Sequence, residues 1–393
     1  KYGVNMRTII YIGNFAFPDK NASGKRVLAN CLCFQKMGFR TACIGPGDGT
    51  TESQYNVTSY TIKSGGSVKR VINNDVKRVI DILENEKNTN QLSAVVLYGA
   101  LFTQRENIKI LEWCRINLIK IIYDQVDWFE LNWHNPLRAI VRWNNNRLMN
   151  KSVIPSCDGV ICISKYLEEY HKNNGCKTVV IPPLSIVHSD IDKPRNNKRD
   201  IIFAYAGTST DVHRPVEQWK DRIDLFLEIL SELSTCEELR SFCINIYGFT
   251  YDQYINMFPT KLAKHAREVI EILGKRIVFH GRVANSEAVN GIKEADFTFL
   301  LRNKKRSTMA GFPTKVSESI SIGTPVVCND TSDLLDYILN EKNGVILPLS
   351  EMKNGIKKIL QMTNDDIACL KEGCLDNPFY YENFTNRVEF WIK

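Results

Sequence analysis

Glu318 stands in the stretch whose residue types and spacing best suit chemistry on a phosphorylated ligand, Gly311 to Val327, GFPTKVSESISIGTPVV. A short loop with Gly311 and Pro313 opens a helix, and Gly323 and Pro325 close it before the apolar pair Val326-Val327. The pattern reads loop, helix, turn, buried strand. Free N–H groups at a helix start attract anions, and small residues before it let a phosphate or sugar approach the backbone. Ser317, Glu318 and Ser321 are polar in a segment otherwise suited to packing, and Glu318 can grip a diol with both carboxylate oxygens. The same Glu also suits an ordinary βαβ crossover as a solvated helix-start charge. A second constellation is Asp124 and Asp127, after the apolar run Lys120 to Tyr123. Carboxylates at a strand's carboxyl end are placed to orient an acceptor hydroxyl, or else to cap a helix around Trp128 to Trp133.

These residues need strands and helices to hold them. In the first half, Thr8–Ile12 is an apolar strand leading through Gly13 and Ser23-Gly24 into a helix from Lys25 to Met37, with Arg40–Ile44 the next strand. The spacing does not match GxGxxG. Val71–Leu83 and Ile108–Cys114 have helical periodicity, and Ala94–Tyr98 is a buried strand. DGVICIS (Asp158–Ser164) predicts a strand and a Ser-capped helix over Lys165–Asn173, followed by a strand from Thr178. Ser189–Asp200 is polar and charge-rich and predicts a hinge. The plan then restarts with Ile201–Ala206 ending in Gly207, and continues with strands at Cys243–Gly248, Ile277–Val283, Phe297–Leu301 and Val345–Leu347 and helices between them. The expectation is two α/β domains, 1–188 and 189–375, with an apolar helical stripe of Phe384, Val388, Phe390 and Trp391 in the tail 376–393.

Composition sets the outer limits. A chain of 393 residues calls for two domains of about 180 residues each. No run of about 18 apolar residues spans a membrane, and the N-terminus does not read as a signal peptide, so the expected location is the cytoplasm. The 12 cysteines are scattered, without a CxxC pair or a nearby His, which points to reduced thiols and not to a metal site. A net charge of +7 suits nucleoside diphosphates or an anionic membrane face, and no aromatic-interleaved basic motif argues for nucleic acid. Asn135–Lys151, with Leu137, Arg138, Val141, Arg142 and Arg147, suits either a packed, solvated helix or one laid against anionic headgroups or a polyprenyl diphosphate at the inner face of the cell membrane. Arg302 heads a basic loop and is placed to reach a phosphate.

The Gly311–Val327 stretch, with Asp296–Arg302 before it and Asn343-Gly344 after it, resembles the donor-site signature of glycosyltransferase family 4, retaining enzymes of the GT-B fold. The resemblance implies two Rossmann-like domains facing across a cleft and a C-terminal helix crossing back to the first. It implies that Glu318 binds the ribose of a nucleotide sugar, and that Gly311, Phe312, Pro313, Thr314 and Lys315 hold the transferred sugar and diphosphate. Many members carry a further Glu where this chain has Ala310. A cation after the glycine strand neutralises the leaving diphosphate in the family; Lys220, in the pattern Lys-Asp-x-Ile-Asp, matches, and Arg214 in the long loop after Gly207, Thr208 and Ser209 is its rival. Gly281, Arg282 and Val283 match the turn that seats the base, and Gly24 and Lys25 the loop facing the phosphates and acceptor. Asp127 matches an acidic position of the family, although Val126 replaces the usual His before it. The implied activity is metal-independent transfer of a sugar, without a cofactor, to a glycan or polyprenyl-diphosphate-linked acceptor in bacterial surface polysaccharide synthesis. A nucleotide-sugar 2-epimerase and an inactive nucleotide-sugar-binding subunit are the alternative expectations.

Overall fold

A computed structural model describes residues 7–62, 73–99, 103–128, 136–187, 200–208 and 215–387. The chain divides into two compact units, one of Lys1–Ile186 with Ala310–Phe312 and Phe379–Lys393, the other of Val187–Met309 with Pro313–Pro378. The expected hinge over Ser189–Asp200 lies, except for Asp200, outside the described residues.

The first unit is built on eight strands, β1 Thr8–Gly13, β2 Arg40–Pro46, β3 Thr51–Gln54, β4 Val57–Ile62, β5 Leu92–Tyr98, β6 Lys120–Gln125, β7 Gly159–Cys162 and β8 Thr178–Val180. They lie in the order β3-β4-β2-β1-β5-β6-β7-β8. All neighbours are parallel except the β3–β4 hairpin. The central strands β1, β5, β6 and β7 are buried on both faces, which is why β1, β5 and β6 read as continuous apolar runs. The β3–β4 hairpin was not legible, since its exposed strand TESQ lacks any apolar signal. Helices at Ala22–Lys36, Asn73–Asn90, Gln104–Ile116 and Lys165–Asn173 stand where periodicity predicts them, the first starting three residues earlier because Asn21 caps it. The segment after Phe379 joins this unit: Ser185 N–H donates to Phe379 O at 2.8 Å, and Tyr381 N–H donates to Ser185 O at 3.0 Å. Phe384 is buried there, whereas Val388, Phe390 and Trp391 lie outside the described residues.

The second unit holds six parallel strands, β9 Ile201–Ala206, β10 Phe242–Tyr247, β11 Ile277–Gly281, β12 Phe297–Leu300, β13 Val326–Asn329 and β14 Gly344–Leu347. Their order is β11-β10-β9-β12-β13-β14, so the winding reverses between β9 and β12. Phe203 of β9, Phe226 of the following helix and Phe297 and Phe299 of β12 fill the core beneath that reversal, Phe226 stacked on Phe299 at 3.9 Å. The helical stretch expected over Ile255–Ile272 is two helices, Tyr251–Met257 and Thr260–Leu273, because Pro259 separates them. A short helix, Arg306–Ala310, replaces the end of the expected basic loop.

Candidate functional site

Loops leaving the carboxyl ends of strands at a winding reversal form the ligand crevice of open α/β sheets. In the second unit β9, β10 and β11 all reach glycine there: Gly207, Gly248 and Gly281. Gly207 N–H donates to Tyr247 O at 3.0 Å and Gly248 N–H to Gly281 O at 2.7 Å. Gly248 has φ +109°, and a Cβ on it would lie 1.8 Å from Gly207 O, so no other residue fits. At Gly207 and Gly248 the space of a side chain is taken by neighbouring protein atoms, which is why these strands end in glycine.

Beside them lies a buried ionic cluster centred on Asp221, in the loop before the helix Ile223–Leu233. Its Oδ2 accepts from Lys315 Nζ at 2.5 Å and Tyr205 Oη at 2.9 Å; its Oδ1 accepts from Arg302 Nε and Nη2, each at 2.8 Å. Tyr205 comes from β9 and Arg302 from the loop after β12, whose backbone Asn329 clamps by accepting from Arg302 N–H at 2.7 Å and donating to Arg302 O at 3.0 Å. Lys315 comes from the first turn of the helix Thr314–Ser321 and lies 4.9 Å from the Tyr205 ring centre. Burial alone would raise the Asp221 pKa, but the charges of Lys315 and Arg302 outweigh it and hold the carboxyl well below the usual range. Burial likewise opposes the Lys315 charge, and Asp221 overcomes it and raises the ammonium pKa. Two cations share one carboxylate, so the cluster carries a net positive charge; Arg302 Nη1 is buried without a partner.

The helix Thr314–Ser321 follows its sequence pattern. Pro313 precedes it without a side-chain cap, and Gly323 (φ +83°) follows the C-cap Ile322. Its serines are used internally: Ser317 Oγ donates to Thr314 O, Ser319 Oγ to Thr324 O and Ser321 Oγ to Ser317 O. Glu318 is half-buried and lines a cavity of about 30 Å³ with Ala204, Tyr205, Ala206, Ile292 and Lys315. That volume takes a water or two.

The structure thus brings together Gly207, Arg302, Lys315 and Glu318 of the expected donor residues, with Thr314 one residue before Lys315. Lys220 is exposed and immediately precedes Asp221, and Thr208 is exposed after Gly207. Ser209 and Arg214 lie outside the described residues. Arg282 is exposed and Val283 half-buried after Gly281, on the far edge strand of the sheet. Gly311, Phe312 and Pro313 are buried, Phe312 edge-on to Phe379 at 5.7 Å. Asp221, Tyr205 and Gly248 were missed; the Lys220-Asp221 pair drew attention to its lysine, because an aspartate beside a helix start reads as an ordinary cap.

In the first unit Asp124 is a correction. It is wholly buried, its carboxylate is taken by Arg26 Nη2 at 2.7 Å and Nε at 3.1–3.2 Å, and Tyr11 Oη and Asn30 Nδ2 donate to it at 3.3 Å. Arg26 spends its Nη1 on the carbonyls of Ile181 and Pro182. A carboxylate so engaged is a structural anchor and does not orient an acceptor hydroxyl. Asp127 is exposed beyond the end of β6. Gly24 is buried, its N–H donates to the Asn21 cap at 2.7 Å, and a Cβ on it would lie 2.2 Å from Ala16 O. Its glycine is explained by packing and its N–H is already used. Lys25 is half-buried beside it.

The helix Pro136–Leu148 presents Ile140, Val141, Trp143 and Leu148 to solvent, with the Arg147 guanidinium 5.6 Å from the Trp143 ring centre. Among the described residues no helix is long and apolar enough to cross a membrane. All twelve cysteines are free thiols; Cys236 and Cys369 are exposed. His280 bonds Asn245 Oδ1 at 2.8 Å and stacks on Tyr247, as a structural histidine does.

Comparison with known proteins follows the same lines. Residues 260–372 match the family model for glycosyl transferases group 1. A search of curated protein sequences returns no significant match. Among solved structures, sucrose-phosphate synthase from Thermosynechococcus elongatus superposes with a TM-score of 0.66 at 12% identity, covering 98% of each chain. A glycosyltransferase from Rickettsia africae gives 0.63 at 13% identity, again over 98% of each. Anabaena Alr3699/HepE, solved in complex with UDP, gives 0.60 at 14% over 98% of each. The two Rossmann-like sheets are those of the GT-B fold.

Proposed function

From a glycosyl transferases group 1 region set in a GT-B fold, we propose that this chain is a retaining glycosyltransferase acting on a nucleotide-diphosphate sugar, its second unit holding the donor. The observation that carries the reading is the net-positive cluster of Lys315, Arg302 and Asp221 beside glycine-ended strands at the winding reversal. A diphosphate fits such a place, because its charge offsets the excess cation. The UDP bound by the Anabaena protein makes a uridine nucleotide a natural first candidate.

In the proposed reaction the bond from the sugar's anomeric carbon to the diphosphate oxygen breaks and its electron pair leaves with the diphosphate. The acceptor oxygen bonds that carbon on the same face, and the acceptor's proton passes to the departing phosphate. Negative charge grows on the diphosphate as this happens, so fixed cations stabilise the transition state more than the ground state. We assign that role to Lys220 and Lys315, ribose binding to Glu318, and acceptor contact to the exposed Asp127. The acceptor is a glycan or a lipid-linked sugar.

Incubating the full chain with a panel of UDP-, GDP- and other nucleotide sugars, with and without glycan acceptors, tests the reading. Transfer or slow hydrolysis with retention supports it; interconversion at C2 identifies an epimerase, and binding without turnover a non-catalytic subunit. Glu318→Ala and Lys220→Ala should each lower kcat/KM by about 100-fold or more, the scale of a lost preorganised electrostatic contact. Unchanged kinetics in both would remove the site assignment.

A further inference from the structure

The carboxylate on which three donors converge has no place in the reaction just described. Asp221 is buried, being 7% exposed, and it is bonded to Lys315, Arg302 and Tyr205 together. We propose that Asp221 is a positioning residue, holding the Lys315 ammonium and the Arg302 guanidinium at the carboxyl ends of β9 and β12 so that an anion site stands assembled before the donor binds. The proposal rests on the donor reading above and adds to it the residue that builds the site.

Three features separate this from simple fold stabilisation. First, Lys315 is a long side chain on the opening turn of a helix, where an untethered ammonium would sample many rotamers. Asp221 fixes one end of its range and the Tyr205 ring lies beneath it; Gly207 leaves the room, since a Cβ there would be 2.9 Å from Lys315 Cε. Second, Lys315 is tethered without being sealed. Its side chain keeps 33% of its exposure while Arg302 keeps 4%, so the lysine is held at the edge of the cluster and the arginine inside it. Third, the charges do not cancel. Excess buried charge is costly unless something offsets it. Here one carboxylate serves two cations, and Arg302 Nη1 is buried without a partner.

The test is a double-mutant cycle on the full chain. Binding of UDP, GDP, ADP, CDP and dTDP is measured by titration calorimetry for the wild type, Asp221→Asn, Lys315→Met and the double variant, at a temperature where thermal melts show each folded. For whichever nucleotide the wild type binds, each single variant should lose about 10- to 100-fold in affinity, as expected for a charge-assisted contact. The double variant should lose little more than either single one, because Asp221 acts through Lys315. Additive losses, or an Asp221→Asn protein that melts lower yet binds as well as the wild type, overturn the proposal. Should Asp221→Asn fail to fold, Lys315→Met alone decides: it leaves Asp221 its Arg302 and Tyr205 partners, and unchanged binding refutes the anion site. If the wild type binds none of the five nucleotides, the donor reading itself fails and the proposal falls with it, an outcome distinct from tight wild-type binding with indifferent variants.

Discussion

Each unit buries a carboxylate under an arginine near the carboxyl ends of its parallel strands, and the two clusters differ in how they are closed. Around Asp124 the account balances: one arginine faces one carboxylate, Arg26 and Asp124 are 3% and 0% exposed, and the spare Nη1 of Arg26 goes to two carbonyls. The atom left over is a neutral acceptor, Asn30 Oδ1. Around Asp221 two cations meet one anion, the lysine is one-third exposed, and the atom left over is a cationic donor, Arg302 Nη1. Burial of charge alone therefore says little about function. On the proposal for Asp221, what distinguishes a binding cluster from a structural one is excess charge with a partly exposed cation.

The largest effect that would break this contrast is at the sealed pair. Asp124→Ala leaves Arg26 buried and uncompensated, and should cost the first unit about 3–5 kcal/mol. Urea denaturation followed by tryptophan fluorescence reads the loss, and nucleotide affinity should stay within about twofold at temperatures where the protein is folded. A variant that is as stable as the wild type but has lost nucleotide binding would move function to the first cluster and reverse the comparison.

A proton sharpens the same contrast. His171, in the helix Lys165–Asn173, is buried against Gln125, the residue after Asp124, and burial depresses its pKa to about 4. Its unfolded value is about 6.5, so the unfolded chain binds the proton more readily. Stability from this group is complete above about pH 6.5 and is lost as pH falls toward about 4, by up to about 3 kcal/mol. Denaturation midpoints of the wild type should fall across that window, and His171→Gln should flatten the fall. In the Asp221 cluster the carboxyl is held low and the Lys315 ammonium high, so nucleotide affinity attributable to that pair should not change over the same range. A pH-independent wild-type midpoint would show that His171 is not the sealed group the structure makes it.

Much of this architecture was legible because parallel strands buried on both faces leave an unmistakable trace. Ile201–Ala206, Ala94–Tyr98 and Lys120–Tyr123 are read as strands from their apolar runs alone, and the helix Lys165–Asn173 from Ser164 and its periodicity. The exposed hairpin strand Thr51–Gln54 carries no such trace. At the candidate site, glycine, proline and serine marked the Thr314–Ser321 helix and its loop, and with them Glu318 and Lys315. Asp221 and Asp124 were harder for a common reason. Whether a carboxylate faces solvent, an acceptor or an arginine from another element is decided by residues 81, 94 and 98 positions away, and no local pattern encodes a partner at that distance.

The smallest test compares two glycines, one beside each cluster. A Cβ on Gly24 would meet the Ala16 carbonyl oxygen at 2.2 Å, which is backbone and cannot turn aside; a Cβ on Gly207 would meet Tyr205 Oη at 2.6 Å and Lys315 Cε at 2.9 Å, both ends of side chains. Gly24→Ala should therefore destabilise by about 1–3 kcal/mol, the usual range for overpacking, and leave nucleotide affinity unchanged. Gly207→Ala should melt within a few degrees of the wild type yet bind nucleotide about tenfold more weakly, because the room it takes is the room in which Lys315 is held. Thermal melts and calorimetric titration on the two variants give four numbers. A large melting loss with normal binding at Gly207, or weakened binding with a normal melt at Gly24, would mean that the difference between a sealed and an open ionic cluster does not predict which of them meets the ligand.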